Sequence, residues 1–149
     1  MKSTTILAFV ISLWACGCWI TSQAQPSHTW TSFLGVPGSY INQLQYGADG
    51  YLYAVGFSNI DLNTHTNTGG YHAFVTKRDP TNGNAVWSMM IGTGVNDVAM
   101  SGIIGSDGYL YVLGFTNGNF QGLTNLGSND GFVIKIDRAT QNITLAASI

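Results

Sequence analysis

Glutamate is absent from the 149 residues, and the basic side chains are only Lys2, Lys77, Arg78, Lys135 and Arg138. Charged residues make up 8% of the chain, against about a quarter in an average globular domain. Glu and Lys are the residues that solvate helix surfaces, so their scarcity excludes a fold built on exposed helices. With a net charge of −2 the chain has no electrostatic footprint for nucleic acid or an anionic membrane. Cysteine is confined to Cys16 and Cys18. An apolar run long enough to span a bilayer, about 20 residues, is also missing, because the uncharged stretch Ile6 to Ile20 is too short.

That short run has another reading. Lys2 supplies a positive start, and Ser22-Gln23-Ala24 places small residues at −3 and −1 of a cut before Gln25. This is the pattern of a secretory signal peptide over residues 1–24, which leaves 25–149 as the mature, exported chain. Leu13-Trp14-Ala15-Cys16 has part of a lipoprotein pattern, but Trp14 and the apolar Trp19-Ile20 fit it poorly. Cleavage after Ala24 removes both thiols, so the mature chain has no cysteine to pair and relies on packing.

Nineteen glycines and abundant Asn, Thr, Tyr and Val point to short strands joined by turns. The organisation is repetitive. Gly47-Ala-Asp-Gly-Tyr-Leu-Tyr-Ala-Val-Gly-Phe-Ser-Asn59 returns 58 residues later as Gly105-Ser-Asp-Gly-Tyr-Leu-Tyr-Val-Leu-Gly-Phe-Thr-Asn117, with nine of thirteen positions identical. Phe74-Val-Thr-Lys77-Arg-Asp79 and Phe132-Val-Ile-Lys135-Ile-Asp137 keep the same offset. A fourth strand, Val86 to Ile91, follows the second of these, and Trp30 to Leu34 resembles an earlier copy of it. Asp49-Gly50 and Asp107-Gly108 suit two-residue type I′ hairpin turns. Tyr51, Tyr53, Val55 and Phe57 share one strand face and Leu52, Ala54 and Gly56 the other. Both faces are apolar, which predicts a strand sandwiched between layers.

Four antiparallel strands per repeat of this length describe a β-propeller blade better than a flat sandwich or a solenoid coil. The expected fold is all-β: a blade over about 39–91, a second over about 97–149, and an extra strand at about 30–34. Closed propellers need at least four blades. The chain is therefore expected to be either a fragment of a longer propeller or a protomer that assembles into a ring.

Three landmarks carry a family resemblance. Trp87 with Ile91-Gly92-Thr-Gly-Val-Asn-Asp97, then Gly105-Ser-Asp-Gly-Tyr-Leu-Tyr-Val-Leu-Gly-Phe-Thr116, then Asp130-Gly-Phe-Val-Ile-Lys-Ile-Asp137, resemble the SBBP-type β-propeller repeat over residues 30–149. The resemblance implies a seven-bladed or similar propeller in exported or surface proteins, with no common activity. Val36-Pro37-Gly38-Ser39 departs from it by lacking the Asn-Asp of the second repeat.

No arrangement of nucleophile, base and orienting acid is legible, so no catalytic, cofactor-binding or metal-binding residue is expected and the protein is read as a non-enzyme. Asp49, Asp107, Asp79 and Asp137 recur per repeat and read as turn residues. Lys77 with Asp79, and Lys135 with Asp137, stand two apart on one strand face and suggest a repeated ion pair. Asp61-Leu-Asn63-Thr-His65-Thr-Asn67 faintly follows a calcium loop. It lacks the required glycine (Thr66 stands there) and the closing bidentate glutamate (His72), so a solvated loop is expected, with His65 and His72 at the surface. Trp30 and Trp87 are expected to pack between blades rather than stack on sugars. Asn142-Ile-Thr144 is a formal glycosylation sequon.

The resulting expectation is an exported, secreted or cell-surface scaffold or binding module whose long loops, 58–71 and 116–130, carry recognition. The alternative is a lectin-like two-blade protomer that closes a carbohydrate-binding ring. Expected partners are neighbouring blades, from further sequence or identical protomers, and an extracellular protein or glycan.

Overall fold

Alternating apolar residues punctuated by Asp-Gly and Asn-rich turns give two meanders of short strands. The computed structural model describes residues 38–62 and 64–148. The expected signal peptide, both cysteines, the expected strand about Trp30 and residue Asn63 lie outside the described residues. The first sheet contains β1 (Ser39–Tyr46), β2 (Leu52–Ser58), β3 (His72–Arg78) and β4 (Ala85–Ile91). The second contains β5 (Asp97–Ile104), β6 (Leu110–Thr116), β7 (Asp130–Ile136) and β8 (Ile143–Ser148). Both sheets are antiparallel with strands in chain order. Among the described residues the fold is all-β, two blade-like sheets without a closed barrel. Even the irregularities repeat: bulges between Ile41 and Gln43 and between Ala99 and Ser101 lie one repeat apart.

The Asp-Gly connections correct the expected turn type. The Gly47 N–H donates to the Tyr51 carbonyl (2.8 Å) and the Gly50 N–H to the Gly47 carbonyl (2.9 Å). Gly50 alone in that turn has positive φ, at 81°, and Gly108 repeats it at 83°. A type I′ turn needs two such residues. Here pairing stops at Tyr46 with Leu52, so a longer connection forms, a type I turn closed by a left-handed glycine. Asp49 and Asp107 keep ordinary backbone angles.

The sheets pack face to face. Tyr53, Val55, Ala73, Val75 and Ile91 of the first meet Ala99, Leu110, Val112, Phe132, Ile134 and Ile136 of the second, all nearly solvent-free. Each buried Val, Leu, Ile or Phe among them contributes roughly 1.5–3 kcal/mol relative to exposure. Trp87 borders this core, edge-on to Tyr53 at 6.1 Å between ring centroids. As expected, β2 is buried on both faces: Tyr53 and Val55 on one, Ala54 on the other. Its counterpart β6 is not, because Leu113 is 42% exposed while Leu110 and Val112 are sealed.

Candidate functional site

The β2–β3 and β6–β7 loops emerge at the end of the sheets that also carries the β4–β5 turn. Each loop contains a tight bridged turn, Leu62 with His65 and Phe120 with Leu123. Leu62 and Phe120 are buried at 3% and 1% exposure, and Phe120 stacks on Phe132 at 4.3 Å. These loops are plugged into their sheets, not freely solvated. The signal was an apolar residue recurring at the 58-residue offset within polar surroundings.

In the first loop Asp61 accepts the Asn67 N–H (2.8 Å). The Asn67 side chain donates to the Ser58 and Gly70 carbonyls (both 3.1 Å) and accepts from the Gly69 N–H (2.7 Å). His65 bonds through Nε2 to the Ser88 carbonyl at 2.8 Å. Of the side chains that faintly resembled a calcium loop, Asp61 and Asn67 brace the loop and His65 ties it to β4, and among the described residues no group of three His, Cys, Asp or Glu converges. The loop is stitched to the β4–β5 turn. Thr68 donates to the Thr93 carbonyl (3.2 Å), Asn96 accepts the Tyr71 N–H (3.1 Å), and the Asp97 N–H donates to the Tyr71 carbonyl (2.6 Å). Gly69 (φ 143°) and Gly70 (φ 62°) permit this approach, since a Cβ on Gly69 would lie 2.8 Å from the Gly94 carbonyl oxygen.

Asn59, Ile60, Asp61, Asn67, Thr68, Gly69 and Gly70 line a shallow concavity open to solvent. Beneath this end lies Asp97, wholly buried. One carboxylate oxygen accepts the Thr93 N–H (2.6 Å) and hydroxyl (3.0 Å), and the other accepts the Thr116 hydroxyl. Ser39 stands at this place in the first sheet and donates to the Ser58 hydroxyl at 2.9 Å. His72, expected at the surface, is instead 4% exposed, beside Thr68 at 3.3 Å. The strand pairing of His72 with Ser58 carries it under the loop.

At the opposite end the expected ion pairs form with other partners. Lys77 donates to Asp49 at 3.0 Å and Lys135 to Asp107 at 2.8 Å. Each ammonium lies 4.0 Å from a ring centroid, of Tyr51 and Tyr109 respectively. Asp79 and Asp137 instead accept N–H groups of their own turns, from Thr81 and Ala139 (2.8 Å each). Tyr53 and Tyr111 donate their hydroxyls to Asp49 (2.7 Å) and Asp107 (2.8 Å). The Lys135 bond first, then the Tyr111 bond, hold the Asp107 carboxyl down at about 2. For Asp49, burial pushes upward, but the Tyr53 and Lys77 bonds outweigh it and keep the carboxyl below its ordinary range.

Among the described residues no helix is long and apolar enough to cross a membrane. The sequence matches no family model, and no curated protein matches it.

Proposed function

We propose that this chain is an exported, non-catalytic repeat protein of the propeller type, acting as a surface scaffold or binding module through its loop end. The open concavity between Asn59 and Gly70 is the observation that carries the reading. It offers amide, hydroxyl and backbone groups in a frame braced by Asn67 and Asp61. The buried acid at the same end, Asp97, has both oxygens engaged by threonines and its N–H on the Tyr71 carbonyl, which suits support of the loops rather than proton transfer. Export rests on the Lys2, Ile6–Ile20 and Ser22-Gln23-Ala24 pattern, and the blade reading on the SBBP-type landmarks.

The test is a screen of the folded mature chain against glycan and extracellular-protein arrays, run in parallel with the Asn59→Arg variant. A ligand held by the parent and lost with Asn59→Arg supports recognition at the loop end. Capture that survives this change but is lost with Leu113→Asp would move recognition to the sheet face and overturn the proposal. Amino-terminal sequencing of the exported protein is expected to begin at Gln25.

A further inference from the structure

The two sheets carry the same receptor at their hairpin ends, and only one is filled. In the first, Arg138 of the second sheet reaches Asp49 Oδ2 (3.2 Å) and the Tyr53 hydroxyl (3.3 Å), with its guanidinium 5.3 Å from the Tyr53 ring centre. A further bond from Arg138 Nε to the Gly108 carbonyl (2.6 Å) fixes the fork. In the second sheet Asp107, Tyr111, Lys135 and Tyr109 reproduce Asp49, Tyr53, Lys77 and Tyr51 in distance and partner. Nothing among the described residues stands where Arg138 would. The Asp107 side chain is 41% exposed against 29% for Asp49, and Lys135 24% against 14% for Lys77.

The apolar face beside the receptor follows the same rule. Val55 is sealed by the second sheet, where a Cβ on Gly102 would lie 2.8 Å from its Cγ1. Leu113, one repeat on, is 42% exposed, and Leu145, at the place of Trp87, is 51% exposed. Where Gln45 of β1 accepts the Ile104 N–H of β5 (3.0 Å), the second sheet presents Ile103, 61% exposed.

We propose that this face of β5–β8 is the docking surface for a further four-stranded sheet of the same repeat, whose arginine, at the place of Arg138, enters the Asp107–Tyr111 receptor. The occupant is defined by the existing interface: a small residue over Leu113 as Gly102 lies over Val55, and a guanidinium at the hairpin end. The first sheet of a second copy fits worse, because Pro80 stands where Arg138 stands in the second. The inference rests on the seam between the sheets and is independent of what the loops bind.

The test appends a copy of residues 92–149 in frame to the full chain, with Cys16 and Cys18 replaced by Ser and Leu113→Cys as the reporter. Maleimide labelling of that cysteine is expected to slow at least tenfold in the extended chain. Asp107→Asn, or alanine in place of the appended arginine, should restore at least half of the lost rate on a logarithmic scale. Unchanged labelling beside an appended sheet whose amides are protected from exchange overturns the docking surface. So does an appended copy that stays unfolded on an intact parent. Slow labelling that neither charge variant relieves overturns the arginine receptor. Protection that already rises with concentration in the unextended chain assigns the face to a second copy and overturns the further repeat.

Discussion

Arg138 reaches across the seam to within 3.2 Å of the Asp49 carboxylate, and it is the charged link between the two sheets at their hairpin end. The pair is only partly exposed, with side-chain values of 17% and 29%. Exposed pairs contribute about 0–1 kcal/mol. Arg138→Ala is therefore expected to lower unfolding stability by about 1 kcal/mol, and the double mutant with Asp49→Asn to show coupling of about 0.5 kcal/mol in urea denaturation. Additive single effects would show that the two side chains do not interact.

Asp107 sets an acid dependence. Its carboxyl is held at about 2, below the ordinary 3.8, so the folded state binds the proton less readily than the unfolded chain. The stabilisation is fully present above about 3.8 and is lost as pH falls through about 2. Asp107→Asn should flatten the stability profile in that window while leaving it unchanged near neutrality in shape. The measurement is the denaturation midpoint at closely spaced pH values, and an identical slope in parent and variant would refute it.

Gln141 is an internal mismatch. It has φ 65° in the turn where the first repeat places Gly83 at 74°. A side chain in the left-handed region costs about 1–2 kcal/mol, and glycine gives back about 0.5–1 through unfolded-state freedom. Gln141→Gly is expected to stabilise the protein by about 0.5 kcal/mol, read as a higher urea midpoint at constant slope. Gly83→Gln is expected to do the reverse.

Removing the Asp97 carboxylate strips the Thr93 N–H and hydroxyl of their acceptor and leaves the Thr116 hydroxyl with the Gly118 carbonyl alone, at 3.1 Å. Each such loss costs about 1–3 kcal/mol when buried. Asp97→Ala should cost about 3 kcal/mol, whereas Ser39→Ala, at the matching place in the first sheet, should cost about 1 kcal/mol or less. Equal losses at the two positions, measured by chemical denaturation, would contradict the distinct role of Asp97.

The strand meander and its repeat were legible because the 58-residue offset carries residue for residue into register: Val55 pairs with Val75 and Leu113 with Val133. The ion pairs were misplaced for a physical reason. Spacing along one strand pointed Lys77 to Asp79, but pairing sets Lys77 opposite Tyr53. The ammonium then lies over Tyr51 beside the hairpin acid, while Asp79 turns to its own Thr81 N–H. His72 was placed at the surface because it follows a polar, glycine-containing loop, Asn67-Thr-Gly-Gly70. Its pairing with Ser58 fixes its depth, and pairing across strands is not written in local composition. Asp97 was visible only as part of a turn landmark, since its hydroxyl partner Thr116 is 19 residues away.

Within each described sheet every strand lies beside its neighbour in the chain, and this order has a kinetic side. Closures within each sheet join only consecutive strands, so both sheets can zip up hairpin by hairpin before they meet, in the regime where local topology favours speed. The seam, through Gly102 on Val55 and Arg138 on Asp49, is then expected to close last. Strands β6 and β7 would thus acquire their pairing early and their burial late. Substitutions in the hairpins should alter the rate of folding, while substitutions along the seam should alter chiefly how long the folded chain lasts.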